Sequence, residues 1–136
     1  MTGWPAELDD AKYVRLTTFR RNGTPVHTPV WFVRLSDPLG DRLVVWSNAD
    51  AGKMKRARTT PGVVVARCDR FGKHLEGPEH QGQAATADAS MNADLHRMFD
   101  RRYGWQKRIM NIGAALQTSV LRRPAKAEAF LLVTLG

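Results

Sequence analysis

The sequence predicts a mainly β protein, an antiparallel barrel of about six strands accompanied by two or three helices. Three observations carry this reading. Short strand-like runs follow one another through tight turns, a single helical stretch interrupts them between the third and fourth strands, and an apolar run from Glu128 to Leu135 closes the chain. The 136 residues lie near the commonest size of one domain, and 43% of them are hydrophobic. With no internal repeat, low-complexity tract or linker, residues 1–136 read as one domain around one core.

Tyr13 to Arg20 alternates and is rich in β-formers, and it runs into Asn22-Gly23, a pair suited to the positive φ angles of a tight hairpin turn. The return strand, Thr24 to Leu35, places Val26, Thr28, Val30 and Phe32 on one face and His27, Trp31 and Val33 on the other. Pro25 and Pro29, four residues apart, remove N–H groups from the same side of that strand. That side is an edge or an opening, and an ordinary edge strand satisfies the pattern as well as a ligand groove does. Ser36 to Asp41 reads as a turn, and Arg42 to Ser47 as a third strand apolar enough to be buried on both faces. Asp50 is expected to cap a short helix running to about Thr59, with Met54 and Ala57 facing inward and Thr60-Pro61-Gly62 ending it.

Gly62 to Arg67 resumes strand character, Asp69 to Gln83 reads as a strand pair with a loose tip at Gly77-Pro78, and Gln81 to Ala87 is extended. Ser90 is expected to cap a helix on which Met91, Leu95, Met98 and Phe99 recur at i, i+4, i+7 and i+8, with Gly104 at its end. A further helical stretch carries Trp105, Ile109, Ile112 and Leu116 on one stripe before the Arg122-Arg123-Pro124 break.

Composition removes several kinds of chemistry. Cys68 is the single cysteine, and His27, His74, His80 and His96 show neither metal spacing nor triad order, so no metal site is expected and a reducing, cytoplasmic setting fits best. Glu76 and Glu79 sit in a loose loop and do not make a hydrolytic carboxylate pair. The start, Met1 to Asp10, has no basic region followed by an apolar run, and Ile109 to Leu121 falls short of the roughly 20 apolar residues that span a bilayer. Neither a signal peptide nor a membrane segment is therefore expected. The formal net charge of +8 favours anionic partners, yet no aromatic-interleaved basic surface or helix-turn-helix pattern points to nucleic acid.

The segment Val45-Trp46-Ser47-Asn48-Ala49-Asp50-Ala51-Gly52-Lys53-Met54-Lys55-Arg56-Ala57-Arg58 is a buried strand, a small-residue turn and a helix start loaded with cations. Free N–H groups and the positive end of the helix dipole attract an anion there, and Lys and Arg neutralise the rest of its charge, which is what a phosphate requires. A solvated cationic helix face is the simpler alternative, and Asp50 alone could offset Lys53. Arg97, Arg101, Arg102, Lys107 and Arg108 form a second basic cluster, open to the same two readings.

Leu16-Thr17-Thr18-Phe19-Arg20-Arg21-Asn22-Gly23, then Pro25-Val26-His27-Thr28-Pro29-Val30-Trp31-Phe32, then Trp46-Ser47 and Gly52 to Arg58, resemble in order and spacing the split-barrel flavin-binding oxidoreductases. More narrowly, the chain resembles the pyridoxamine-phosphate-oxidase-like proteins of the coenzyme F420-dependent branch. The resemblance implies a six-stranded split β-barrel and a homodimer with two interfacial cofactor sites, each built mainly by one subunit. It assigns the cofactor phosphate to Lys53, Lys55 and Arg56, nearby polar contacts to Ser47 and Asn48, and the ring system to the segment Pro29-Val30-Trp31, with Thr18 reaching the pocket from the neighbouring strand. Trp31 also satisfies a plain core or interface role.

The implied function is a deazaflavin (F420)-dependent reductase that delivers hydride to a small-molecule acceptor. FMN in the same fold, or a non-catalytic cofactor carrier, are the alternatives. No catalytic side chain is assigned, because in hydride transfer the cofactor supplies the reactive atom and the protein binds, orients and shields it.

Overall fold

A computed structural model of the chain describes residues 4–36, 40–48, 51–104 and 128–135. Its strands are β1 (Tyr13–Phe19), β2 (Pro25–Val30), β3 (Phe32–Leu35), β4 (Arg42–Asn48), β5 (Gly62–Cys68), β6 (His80–Thr86) and β7 (Glu128–Leu135). Helix α1 (Gly52–Thr59) follows β4, and helix α2 (residues 92–104) follows β6. The seven strands make one antiparallel sheet in the order β2-β1-β5-β6-β7-β4-β3.

The two edge strands of that order are consecutive in the chain. The expected single return strand, Thr24 to Leu35, is broken at Trp31: its first part pairs with β1 and its second with β4, so one bent segment joins both edges of the sheet. This bend curls the sheet into a barrel and reconciles the seven strands with the six read from the sequence. The backbone at the bend needs a partner in place of a neighbouring strand. Tyr103 of α2 provides it, its hydroxyl accepting from the Phe32 N–H at 3.3 Å and lying 3.0 Å from the Phe32 carbonyl and 2.8 Å from that of Lys12.

The β1–β2 hairpin closes through Arg20 and Thr24, with the Arg20 N–H donating to the Thr24 carbonyl and Gly23 at φ +86°. The Asn22 side chain accepts from the Thr24 N–H at 3.0 Å. With Arg20 and Thr24 in a bonded pair, antiparallel alternation turns the nitrogens of Pro25 and Pro29 away from β1, toward the outer edge. Gly72 (φ +70°), in the turn after β5, backs onto the Pro29 ring, where a Cβ on residue 72 would lie 3.0 Å from Pro29 Cδ.

Two apolar clusters lie on opposite faces of the sheet. Inside, Val14, Leu16, Val30, Phe32, Leu43, Val45, Val63, Val65, Leu131 and Val133 pack with Met54 and Ala57 of α1. Outside, α2 lays Leu95, Phe99 and Tyr103 on Val33, Val44, Phe130 and Leu132. Thus β4 and β7 are buried on both faces, as the apolar density of Arg42 to Ser47 requires, and the 3.6-residue stripe of α2 is its buried face.

Two expected caps differ. The N-cap of α1 is Ala51, with no side-chain cap bond, while Asp50 lies outside the described residues. The turn Ala89–Met91 that leads into α2 is capped by Asp88, which accepts from the Ser90 N–H at 3.2 Å, so Ser90 is the donor and not the cap. The Asp69 to Gln83 segment is mostly loop, with one bridge between Cys68 and Leu75 before β6. The second helical stretch from Trp105 lies outside the described residues.

The N-terminal turn Ala6–Leu8 inserts Leu8 into the interior, and Trp4 stacks on Phe32 at 6.5 Å. Arg67 clamps this segment, donating to the Glu7 carbonyl at 2.9 Å and to Asp10 Oδ1 at 2.5 Å, and His80 Nε2 lies 2.5 Å from Glu7 Oε1. The hydrogen bond from His80 holds the Glu7 carboxyl below its ordinary 4.5. A depressed carboxylate stabilises the fold fully above the unfolded value, and that contribution disappears as pH falls through the lower folded value. Thermal melts between about pH 6 and pH 3 are therefore expected to lose stability below about 4.5, and Glu7→Gln to flatten that decline. An identical acid profile in the variant would remove the clamp from the account.

Candidate functional site

The cation-rich start of α1 sits against β1. Met54 and Ala57 anchor the helix in the interior, which turns Lys53 and Arg56 toward the rim of the barrel, half-buried, and leaves Lys55 and Arg58 exposed. Arg56 folds back across the first turn: a Cβ on Gly52 would lie 2.7 Å from its Nη1, so glycine there makes room for the guanidinium. The Arg56 Nε donates to Thr18 Oγ1 at 2.7 Å, and Thr18 is completely buried. Arg20, at the end of β1, is the next cation, close enough to act on Arg56.

Burial pulls the Lys53 ammonium below its usual range, and Arg56 beside it acts in the same direction. Burial, then Arg20, does the same to Arg56. Among the described residues no carboxylate forms an ion pair with Arg20, Lys53 or Arg56, whereas Arg34, Arg67 and Arg97 all have acidic partners. Two cations on a helix without a side-chain cap and a third at the end of the neighbouring strand repel one another, and an anion bound among them relieves the repulsion.

The remaining predicted residues fall in several places. Ser47 is buried at the end of β4, its Oγ donating to the Asn48 carbonyl at 3.1 Å, and Asn48 is exposed. Trp46, Ser47 and Asn48 have a ladder partner in β7 but none in β3, so one side of β4 is open there. Pro29 is half-buried under Gly72. Val30 points into the interior cluster. Trp31 stacks on Tyr103 at 4.7 Å with an interplanar angle of 5° and meets Trp46 at 5.8 Å, so its ring belongs to the aromatic layer beneath α2.

The structure therefore brings together Thr18, Lys53 and Arg56 and adds Arg20, which the sequence reading used only as a hairpin residue. Its signal was the Arg20-Arg21 pair abutting the turn. Two members of the second basic cluster are engaged elsewhere. Arg97 pairs with Asp94, and Arg102 donates to the Ala11 carbonyl while covering the Phe32 ring at 4.8 Å. Lys107 and Arg108 lie outside the described residues. A cavity of about 570 Å³ between residues 9–12 and 100–104 is lined by Arg101 and Arg102 of that cluster and by none of the residues assigned to the cofactor. Burial pushes the Cys68 thiol up to about 11, away from reactive thiolate chemistry. The described residues contain no group of three or more His, Cys, Asp or Glu placed to hold a metal. No described helix is long and apolar enough to cross a membrane.

Solved structures share this architecture. The heme storage protein HutZ from Vibrio cholerae aligns over 99% of this chain and 92% of its own, with a TM-score of 0.63 at 14% identity. A pyridoxamine 5'-phosphate oxidase-related, FMN-binding protein from Nostoc punctiforme aligns over 95% and 74%, with a TM-score of 0.56 at 16% identity. The chain has the split-barrel fold. An F420 reductase shares it over 100% of this chain and 95% of its own, with a TM-score of 0.55 at 16% identity. No protein-family model matches this split barrel, and no curated protein does.

Proposed function

We propose that this split barrel is an oxidoreductase that binds a phosphorylated, flavin-like cofactor, coenzyme F420 in the first instance, and passes hydride from it to a small-molecule acceptor. The observation that carries the reading is the group Arg20, Lys53 and Arg56: half-buried or rim cations without a carboxylate partner, at an uncapped helix start with glycine at its first position. This arrangement fits a phosphate. Lys53 and Arg56 would hold it, with Lys55 adding charge from the exposed side, and Thr18 would fix the Arg56 guanidinium in place. When bound, the reduced deazaflavin supplies a hydride, two electrons in one step, and the protein's part is to orient and shield it.

Ser47 and Asn48, on the open side of β4, offer polar contacts. The backbone at residues 29–31 would lie along the ring system, since the side chains of Val30 and Trp31 are committed to the two apolar clusters. A second copy of the chain would complete the groove as a homodimer. The alternative is FMN on the same cations, which the likeness to the FMN-binding Nostoc protein supports. A protein that stores or carries its ligand is the third reading, and the likeness to HutZ supports it.

The deciding experiment is a parallel titration of F420 and FMN, followed by oxidation of the reduced deazaflavin with a panel of quinones, enones and nitroaromatics. Tighter binding of F420 and acceptor-dependent loss of its reduced absorbance are expected. Preference for FMN overturns the cofactor, and tight binding without oxidation by any acceptor overturns the reductase in favour of a carrier.

A further inference from the structure

Strands β1 and β5 part company at one end. Their ladder stops at Thr17 and Val64, so Phe19 and Gly62, which would form the next bonded pair, lie beyond the last paired residues. In β1 the residues bonded to β2 share the parity of Arg20, whose N–H donates to Thr24, so the amide and carbonyl of Phe19 are turned toward β5 and into the gap. The splayed strands open a groove of about 420 Å³ whose walls include Phe19, Arg20, Arg21, Val64, Gln81 and Gln83. That volume falls within the range of small-molecule sites, and the combination of apolar walls with a few polar groups is the usual one.

The chemistry along the groove is graded. Phe19 and Val64 make an apolar, half-buried wall, Gln81 and Gln83 line the β6 side with carboxamides, and Arg20 and Arg21 stand exposed on the hairpin at the mouth. No carboxylate among the described residues pairs with either arginine. A guanidinium is planar and binds carboxylate through two parallel hydrogen bonds, and an aromatic ring stacks on Phe19 at low entropic cost.

We propose that this groove binds a small aromatic carboxylate, its ring between Phe19 and Val64 and its carboxylate held by Arg20 and Arg21. The site uses neither Lys53 nor Arg56 but shares Arg20 with the cation cluster of the cofactor reading, and substitution of Lys53 and Arg56 separates the two.

The probe is 2-naphthoate, titrated into the full chain by calorimetry beside the uncharged 2-naphthylmethanol. Saturable naphthoate binding is expected, with the alcohol at least about tenfold weaker, because the charge-assisted bonds to arginine are absent from it. Arg20→Ala/Arg21→Ala should abolish that preference. Gln83→Trp, at an exposed strand position, should fill the groove and abolish binding of both compounds while circular dichroism stays native. Lys53→Ala/Arg56→Ala should leave naphthoate affinity within about twofold, so that failure of the phosphate site and failure of this groove give different results. Absence of saturable naphthoate binding to the unsubstituted chain overturns the proposal. So does binding that survives both the arginine and the Gln83 substitutions, or binding lost on substitution of Lys53 and Arg56.

Discussion

Replacing both Lys53 and Arg56 by alanine is expected to weaken binding of the phosphorylated cofactor by about 100-fold or more. Each charge-assisted hydrogen bond to a phosphate contributes roughly 1.5–3 kcal/mol, and two of them are lost together. The fold should survive, since both side chains lie at the rim while Met54 and Ala57 keep α1 in the interior. Relief of the mutual repulsion among Arg20, Lys53 and Arg56 should, if anything, favour the ligand-free variant. Titration of the single and double variants with F420 and FMN measures the effect. Arg97→Ala, on α2 and already paired with Asp94, is the control and should bind as the unsubstituted chain does. Native circular dichroism with unchanged affinity in the double variant would move the phosphate elsewhere and reduce Lys53 and Arg56 to a solvated helix face.

Phe99→Ala carries the largest expected loss of stability, on the order of 3–5 kcal/mol, which for a chain of this length lowers Tm by roughly 10–20 °C. The ring is wholly buried and meets Trp46 at 6.0 Å, Tyr103 at 6.0 Å and Phe130 at 5.7 Å, so its removal opens a cavity between α2 and the outer face of the sheet. The damage should extend beyond the cavity. Tyr103 lies one turn further along α2, and its hydroxyl serves the backbone at the β2–β3 bend, so loosening α2 also loosens the bend. Phe99→Leu should recover much of the loss. A decrease below about 1 kcal/mol in Phe99→Ala would mean that α2 does not seal this face.

The strands and the two described helices were legible because their signals are local. The apolar density of residues 42–47 marked a strand buried on both faces, Met54 and Ala57 marked the inner face of α1, and Leu95 and Phe99 that of α2. Contacts made over long chain separations were not legible. The break at Trp31 depends on a tyrosine hydroxyl 71 residues away, and nothing between Thr24 and Leu35 announces it. At the cation cluster, residues 52–58 read as a phosphate cradle by themselves, whereas Thr18 was expected there only through the family resemblance and Arg20 not at all, because both join it through the packing of α1 on β1, across 38 residues in the case of Thr18 and Arg56. Side-chain direction in an irregular stretch is also hidden. Pro29, Val30 and Trp31 are neighbours in sequence, yet one meets a loop, one the interior and one an aromatic layer, because the chain leaves one ladder and enters another there.

The bend at Trp31 also bears on how copies of this chain meet in a crowded solution. An open sheet ends in two rows of free amides and carbonyls, each a template on which another chain can add a strand. Here both ends of the sheet belong to one short segment, and the half that borders β1 carries prolines at two of the three positions whose nitrogens face outward, His27 being the third. Strand addition along that margin would lack two of its donors and would meet Gly72 of the adjoining turn at Pro29. Two mature barrels therefore gain little by fusing edge to edge into a continuous ribbon, and recognition between them is left to side chains.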